Sequence, residues 1–269
     1  MSAALTELTL GPVHLTVADL ERSLDYYRTQ IGLDVLAQGD GEATVGTRER
    51  PLLVLVEEPG ARPADGYSGL FHFALLVPER PDLARWLAHA VRDGVGLTGL
   101  SDHAVSEAIY LRDPDGHGIE IYCDRPRQLW EGKVMELMTT IPLDTESLFA
   151  ELDDPRSEPF DGLADGTVMG HVHLRVAEVE PAVAFYRELG FDLMARYGTQ
   201  AAFLAVDGYH HHLGANSWES AGRPQPPPGH ANLRHATMVV PGAQLVGDGR
   251  EELVDPSGNR WAVETDVAL

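Results

Sequence analysis

The sequence predicts an α+β fold: four βαβββ modules, paired into two cupped half-barrels. Three observations predict it. The chain repeats itself: "VHLTVADLERSLDYYRTQIGLDVL" from Val13 and "VHLRVAEVEPAVAFYRELGFDLM" from Val172 share an alternating strand, a Tyr-Arg pair and a Gly-x-Asp exit. "YLRDPDGHGIEIY" and "ELVDPSGNRWAVET" share a strand, an Asp-Pro-x-Gly turn and a strand. Two further strands carrying a histidine, "LFHFALLVP" and "LRHATMVVP", each precede one of those hairpins. The modules fall near residues 11–58, 70–125, 169–219 and 232–267, the last one shortened. Taken in chain order, residues 1–125 hold the first pair, 126–167 a linker and 168–269 the second pair.

The elements follow in order. In module one, Asp19 suits an N-cap, and Leu20, Leu24 and Tyr27 share a helical face. Module three repeats this with Val179, Val183 and Tyr186, and Pro181 suits its first turn. Gly32 and Gly190 lead into the strands "PLLVLVEE" and "AAFLAVDGYHHHLG". Module two carries a helix over "DLARWLAHAVRDG", with Leu83, Leu87 and Val91 on one stripe. The linker has a helix near "TESLFAEL", and "GRPQPPPGHAN" is a proline loop before module four. Strand side chains alternate faces, so two curled sheets set side by side point residues of their strands into one cup.

Composition narrows the function classes. Of 269 residues, 43% are hydrophobic, which suits a sizeable core. The net charge of −22 repels phosphate backbones and anionic lipids, so neither nucleic acid nor membrane is an expected partner. A single cysteine, Cys123, fits a reducing cytoplasm. No basic stretch followed by an apolar run opens the chain, and no stretch approaches ~20 apolar residues. Homo-oligomerisation stays open.

One stretch carries chemistry. "SDHAVSEAIYLRDPDGHGIEIY", Ser101 to Tyr122, sets His103, Tyr110 seven residues later, the Asp-Pro-Asp-Gly turn and then Glu120. It resembles the signature of extradiol ring-cleaving dioxygenases, and the four-module layout resembles the vicinal oxygen chelate superfamily. With "GYHHHLGANSW", the chain resembles bacterial catechol-2,3-dioxygenase-like proteins over nearly its full length. The resemblance implies a metal-dependent dioxygenase acting on a small aromatic diol with O2. It implies one Fe(II), with Mn(II) as an alternative, on two histidines and a carboxylate, a set that leaves open positions. It also implies that His103, Tyr110 and a histidine of the run His210–His212 handle protons and charge.

The resemblance places the first histidine ligand five residues before a strand valine, and the carboxylate seven after the turn aspartate. The four candidate positions are Pro12, His72, His171 and His235; the two carboxylate positions are Glu120 and Ala262, with Glu264 two further on. Modules two and three together complete a triad, His72, Glu120 and His171. The middle modules are therefore expected to share a cup, within one chain or swapped between chains. Consecutive pairing stays open and would cast His14 or Glu264 as improvised ligands.

Ordinary readings compete. His14 and His173 lie two positions along from a ligand position and suit support of the site or a plain core role equally. His235 is taken as a remnant, and His89, His117 and His230 as ordinary residues. Alignment on Leu213 favours His211 as the acid–base group, while counting from the preceding glycine favours His212. Neighbouring strand residues face opposite ways, so one of the two serves, and His211 is preferred. A glyoxalase-like isomerase or lyase would want a second glutamate. A metal-free, drug-sequestering binding protein would need no triad.

Overall fold

The computed structural model describes Leu5, residues 7–241 and residues 252–266. Module one runs through strand Val13–Val17, helix Leu20–Tyr26 and strands Asp34–Gly39, Glu42–Gly46 and Pro51–Glu57. Asp19 caps the helix, its carboxylate accepting from the Arg22 N–H. Module two has strand Gly69–Leu76, helix Arg80–Asp93 and strands Leu97–Asp102, Ser106–Arg112 and Gly118–Asp124. Module three has strand Val168–Arg175, helix Val179–Glu188 and strands Asp192–Tyr197, Ala201–Ala205 and Leu213–Asn216. Module four shows strands Leu233–Pro241, Glu252–Val254 and Arg260–Asp266. The linker helix is Thr145–Phe149. No helix among the described residues is long and apolar enough to cross a membrane.

In each module the first strand pairs parallel with the last, and the rest are antiparallel. Cups form across the halves of the chain. Gly69–Leu76 pairs antiparallel with Val168–Arg175, setting His173 opposite His72 and His171 opposite Ala74. Val13–Val17 pairs with the first strand of module four, setting His14 opposite His235. Modules two and three therefore share one cup, and modules one and four the other. The chain-order pairing of 1–125 with itself and 168–269 with itself is not the pairing of the sheets. The short strand Thr9–Leu10 joins the cups, pairing with Met169 on one side and Met238 and Val239 on the other.

Chain neighbours are held together differently, by the motif shared between hairpins. Asp113 accepts the backbone N–H groups of Asp115 and His117 on Oδ1 and the Tyr27 hydroxyl on Oδ2. Asp255 does the same with Ser257, Asn259 and Tyr186. Each aspartate closes its own turn and clamps the helix of the preceding module. Gly116 and Gly258 sit at φ +90° and +86°, which is why the turn ends in glycine.

Helices cover the convex sheet faces. Leu83, Trp86, Leu87 and Ala90 are buried, but Val91 is 65% exposed, against expectation. An i+4 spacing advances about 40° around the helix per step, so the third member leaves the stripe. The remaining histidines find ordinary partners: His117 Nε2 donates to the Thr16 carbonyl, and His89 stacks on Phe160.

Candidate metal centre and cavity

Alternation along the strands builds the site. Phe73, Leu75, Ile119 and Ile121 point into the main core. Their neighbours His72, Ala74 and Glu120 point into the cup, and pairing of Glu120 with Tyr110 brings the phenol to the same face. From module three, His171 arrives on the antiparallel partner strand. Glu120 Oε2 lies 3.0 Å from His72 Nε2 and 3.2 Å from His171 Nε2, and the two nitrogens are 3.2 Å apart. All three residues are buried.

These donors fit a metal. Adjacent ligands about 2.1 Å from one ion lie about 3.0 Å apart when their bonds are perpendicular, the spacing that a facial triad needs. Burial pushes the His171 ring down to about 4, with Glu120 opposing, so the ring is neutral near pH 7 with a lone pair to give. Burial alone would raise the Glu120 carboxyl, but His171 and His72 outweigh it and hold it well below the usual range. A lone buried carboxylate is costly, and a cation offsets that cost.

Around this triad the groups are ordered. His103 Nδ1 lies 2.7 Å from the Thr139 carbonyl, which only accepts, so Nδ1 carries the proton. Nε2 is then an acceptor and takes the Tyr110 hydroxyl at 2.7 Å. Burial, then Glu120, pushes the Tyr110 phenol well above its ordinary value. His173 Nε2 accepts from the Asn216 amide at 3.0 Å. A Cβ at Gly214 would meet the His173 ring at 2.6 Å, so glycine makes room for it.

The histidine run is not in a strand. Leu213–Asn216 begins after it, so strict alternation does not govern residues 210–212. His211 packs on His171 with ring centroids 4.0 Å apart and lines the cavity. Burial, then His171, pushes its ring well below the ordinary range. His212 does not line the cavity: its Nδ1 accepts from the Val206 N–H. His210 is fully buried and bonds Asp124.

The cavity beside the triad has a volume of about 450 Å³ and walls from Phe71, Tyr110, Met138, Phe203 and Trp218. His72, His103, Glu120, His173 and His211 line it too. The sequence alone did not single out Met138 or Thr139 from the linker as walls. Their signal is tertiary: Ile141 and Pro142 pair with Asp102 and Ser101, which folds the linker over the cup. In the other cup, His14 and His235 stack at 3.9 Å.

A family model described as the glyoxalase/bleomycin resistance protein/dioxygenase superfamily matches residues 9–121 and 168–253. The catechol-2,3-dioxygenase of Bacillus subtilis (strain 168) is 41% identical over 250 residues, 90% of this chain and 86% of that protein. Among solved structures, glyoxalase I from Zea mays is similar at TM-score 0.56 and 17% identity, covering 96% of this chain and 92% of its own. The cppA protein from Streptococcus pneumoniae TIGR4 is similar at TM-score 0.54 and 11% identity, covering 96% and 100%. Those low identities speak to the fold alone; the sequence match carries further. By its matched residues and its relative, the chain belongs to the glyoxalase/bleomycin resistance protein/dioxygenase superfamily.

Proposed function

We propose that the protein is an extradiol dioxygenase that opens a catechol-type ring with O2, using a divalent metal on His72, His171 and Glu120. The observation that carries this reading is the convergence of those three donors at one end of an aromatic-walled cavity. The likeness to a catechol-2,3-dioxygenase supports it. Two imidazoles and one carboxylate suit Fe(II), and Mn(II) accepts the same set. When bound, the metal would supply a Lewis-acidic, redox-active centre at which diol and O2 meet.

The chain's own residues do the rest. Phe71, Phe203 and Trp218 hold a flat ring and keep water out. Tyr110 donates its one hydroxyl proton to His103 Nε2 in the free protein; with substrate bound, it would turn that proton to a substrate oxygen and stabilise negative charge there. His211 takes a proton from the diol and returns one during cleavage. The carbon–carbon bond beside the diol breaks, and both atoms of O2 enter the product, so no external reductant is needed.

Anaerobic purification, metal analysis and O2 uptake with catechol test the reading. One Fe or Mn per chain with stoichiometric O2 consumption and a ring-opened product is expected. A metal-loaded protein that consumes no O2 with catechol or alkylcatechols would overturn it. The glyoxalase-like alternative calls for a second glutamate; among the described residues the donors that converge are His72, Glu120 and His171, and the ring packed on His171 is that of His211.

A further inference from the structure

Three residues form a chain that ends at the cavity. His210 Nε2 lies 2.7 Å from Asp124 Oδ1, and His210 Nδ1 lies 2.8 Å from His211 Nδ1. Asp124 Oδ1 also accepts the Tyr209 hydroxyl at 3.2 Å, and Tyr209 is bonded in turn to Tyr122. His210 is fully buried, with Trp130 and Tyr122 packed around its ring, so its orientation is set on all sides.

Proton placement follows from donor and acceptor chemistry. A carboxylate only accepts, so His210 Nε2 carries a proton. With one proton on each ring, His210 Nδ1 is bare and must accept. His211 Nδ1 therefore holds the proton between the two rings. That leaves His211 Nε2 without one. Among the described residues, this nitrogen has no protein hydrogen-bond partner, and its ring lines the cavity.

We propose that Asp124 and His210 are positioning residues that lock His211 in the Nδ1–H tautomer and turn its bare Nε2 toward bound substrate. An imidazole left to itself distributes its proton over both nitrogens, and only one of those forms can accept a proton from the diol. Fixing the tautomer through the far nitrogen resembles how a carboxylate orients a metal-bound or catalytic imidazole. Here the carboxylate acts through a second ring. The proposal rests on the acid–base reading of His211, but its test does not.

Long-range proton–nitrogen correlation spectra of the full-length 15N-labelled chain, metal-free and with diamagnetic Zn(II), read each tautomer directly. Substituting His211→Gln assigns its signals. The expected result is a single Nδ1–H tautomer for His211. Mixed tautomers are expected in His210→Leu and in Asp124→Ala. His210→Asn should restore the single form, because its Oδ1 offers an acceptor at the place of Nδ1. In kinetics, His210→Leu should lower kcat about two- to fivefold with KM nearly unchanged, following the fraction of rings left competent. His210→Asn should recover most of that loss. An Nε2–H tautomer in the unmodified protein, or a tautomer indifferent to His210 and Asp124, overturns the proposal. A locked tautomer together with ring cleavage that survives His211→Phe would sink the acid–base reading instead and leave the lock standing.

Discussion

Replacing Tyr110 by phenylalanine isolates one hydrogen bond. The hydroxyl gives its proton to His103 Nε2 at 2.7 Å and is not among the three converging donors. Its loss leaves His103 Nε2 facing the cavity, where water can reach it, so stability should fall by only about 0.5–1.5 kcal/mol. The metal should stay, because His72, His171 and Glu120 are untouched. Catalysis should suffer more, since with substrate bound the hydroxyl can turn its proton from His103 to a charged substrate oxygen, a hydrogen bond worth about 1.5–3 kcal/mol. That converts to a loss in kcat/KM of roughly 10–150-fold. Plasma emission on the purified variant gives metal content, urea unfolding gives stability, and O2 uptake gives the rate. Loss of metal together with activity would refute the reasoning, because it would make Tyr110 part of the metal's support rather than a partner of substrate.

Four further outcomes are expected. Glu120→Ala, His72→Ala or His171→Ala should each abolish tight metal binding, while His14→Ala should keep it; metal content of dialysed protein separates them. His211→Phe should keep the metal and slow ring cleavage by ~10²–10⁴-fold, whereas His212→Phe, outside the cavity, should change the rate little. Tyr27→Phe removes the clamp on Asp113 and should cost about 1–3 kcal/mol in urea unfolding, a buried acceptor being left unmade. Burial pushes His212 down to about 3, so the unfolded chain binds more protons between pH 6.5 and 3 and stability falls on acidification. At pH 5 that single ring accounts for about 2 kcal/mol, and His212→Gln should flatten the pH dependence of the unfolding midpoint by that amount; an unchanged slope would count against it.

Much of the cup was legible because its signals are local. The extradiol-type signature named His103, Tyr110 and Glu120 within one short stretch, and period-two alternation set Glu120 opposite its apolar neighbours Ile119 and Ile121. The ligand spacing that the resemblance implies, counted from strand valines, then pointed to His72 and His171, and only one pairing of modules gave a full triad. The histidine run was harder. Strand logic assigned opposite faces to His211 and His212, yet the chain turns there, and His210 and His211 bond to each other instead. The partnership of Asp124 with His210 spans 86 residues and left no mark in spacing or composition. His173 was balanced between core and site; its place in the cavity depends on Asn216 and on the bare backbone of Gly214. Thr139, which fixes the proton on His103, belongs to a linker whose position only the fold decides.

The second cup explains why the first needs the whole chain. It lacks donors where the first has them: Pro12 and Ala262 fill two of the three equivalent positions, and His14 and His235 stack face to face. It still reaches the metal centre mechanically. The turn at Asp113–Gly116 joins the strand bearing Tyr110 to the strand bearing Glu120. That turn is gripped from module one: Tyr27 holds Asp113, while Arg22 and the Ala18 N–H hold Asp115. His117, just beyond it, is tied to the Thr16 carbonyl. A shift of this turn would slide Glu120 and Tyr110 together against His171, which stands on the other module. Donors spaced 3.0–3.2 Å tolerate little such motion. Cutting the Tyr27 grip should therefore weaken metal affinity as well as stability, although Tyr27 is far from the cavity in sequence and lines no part of it.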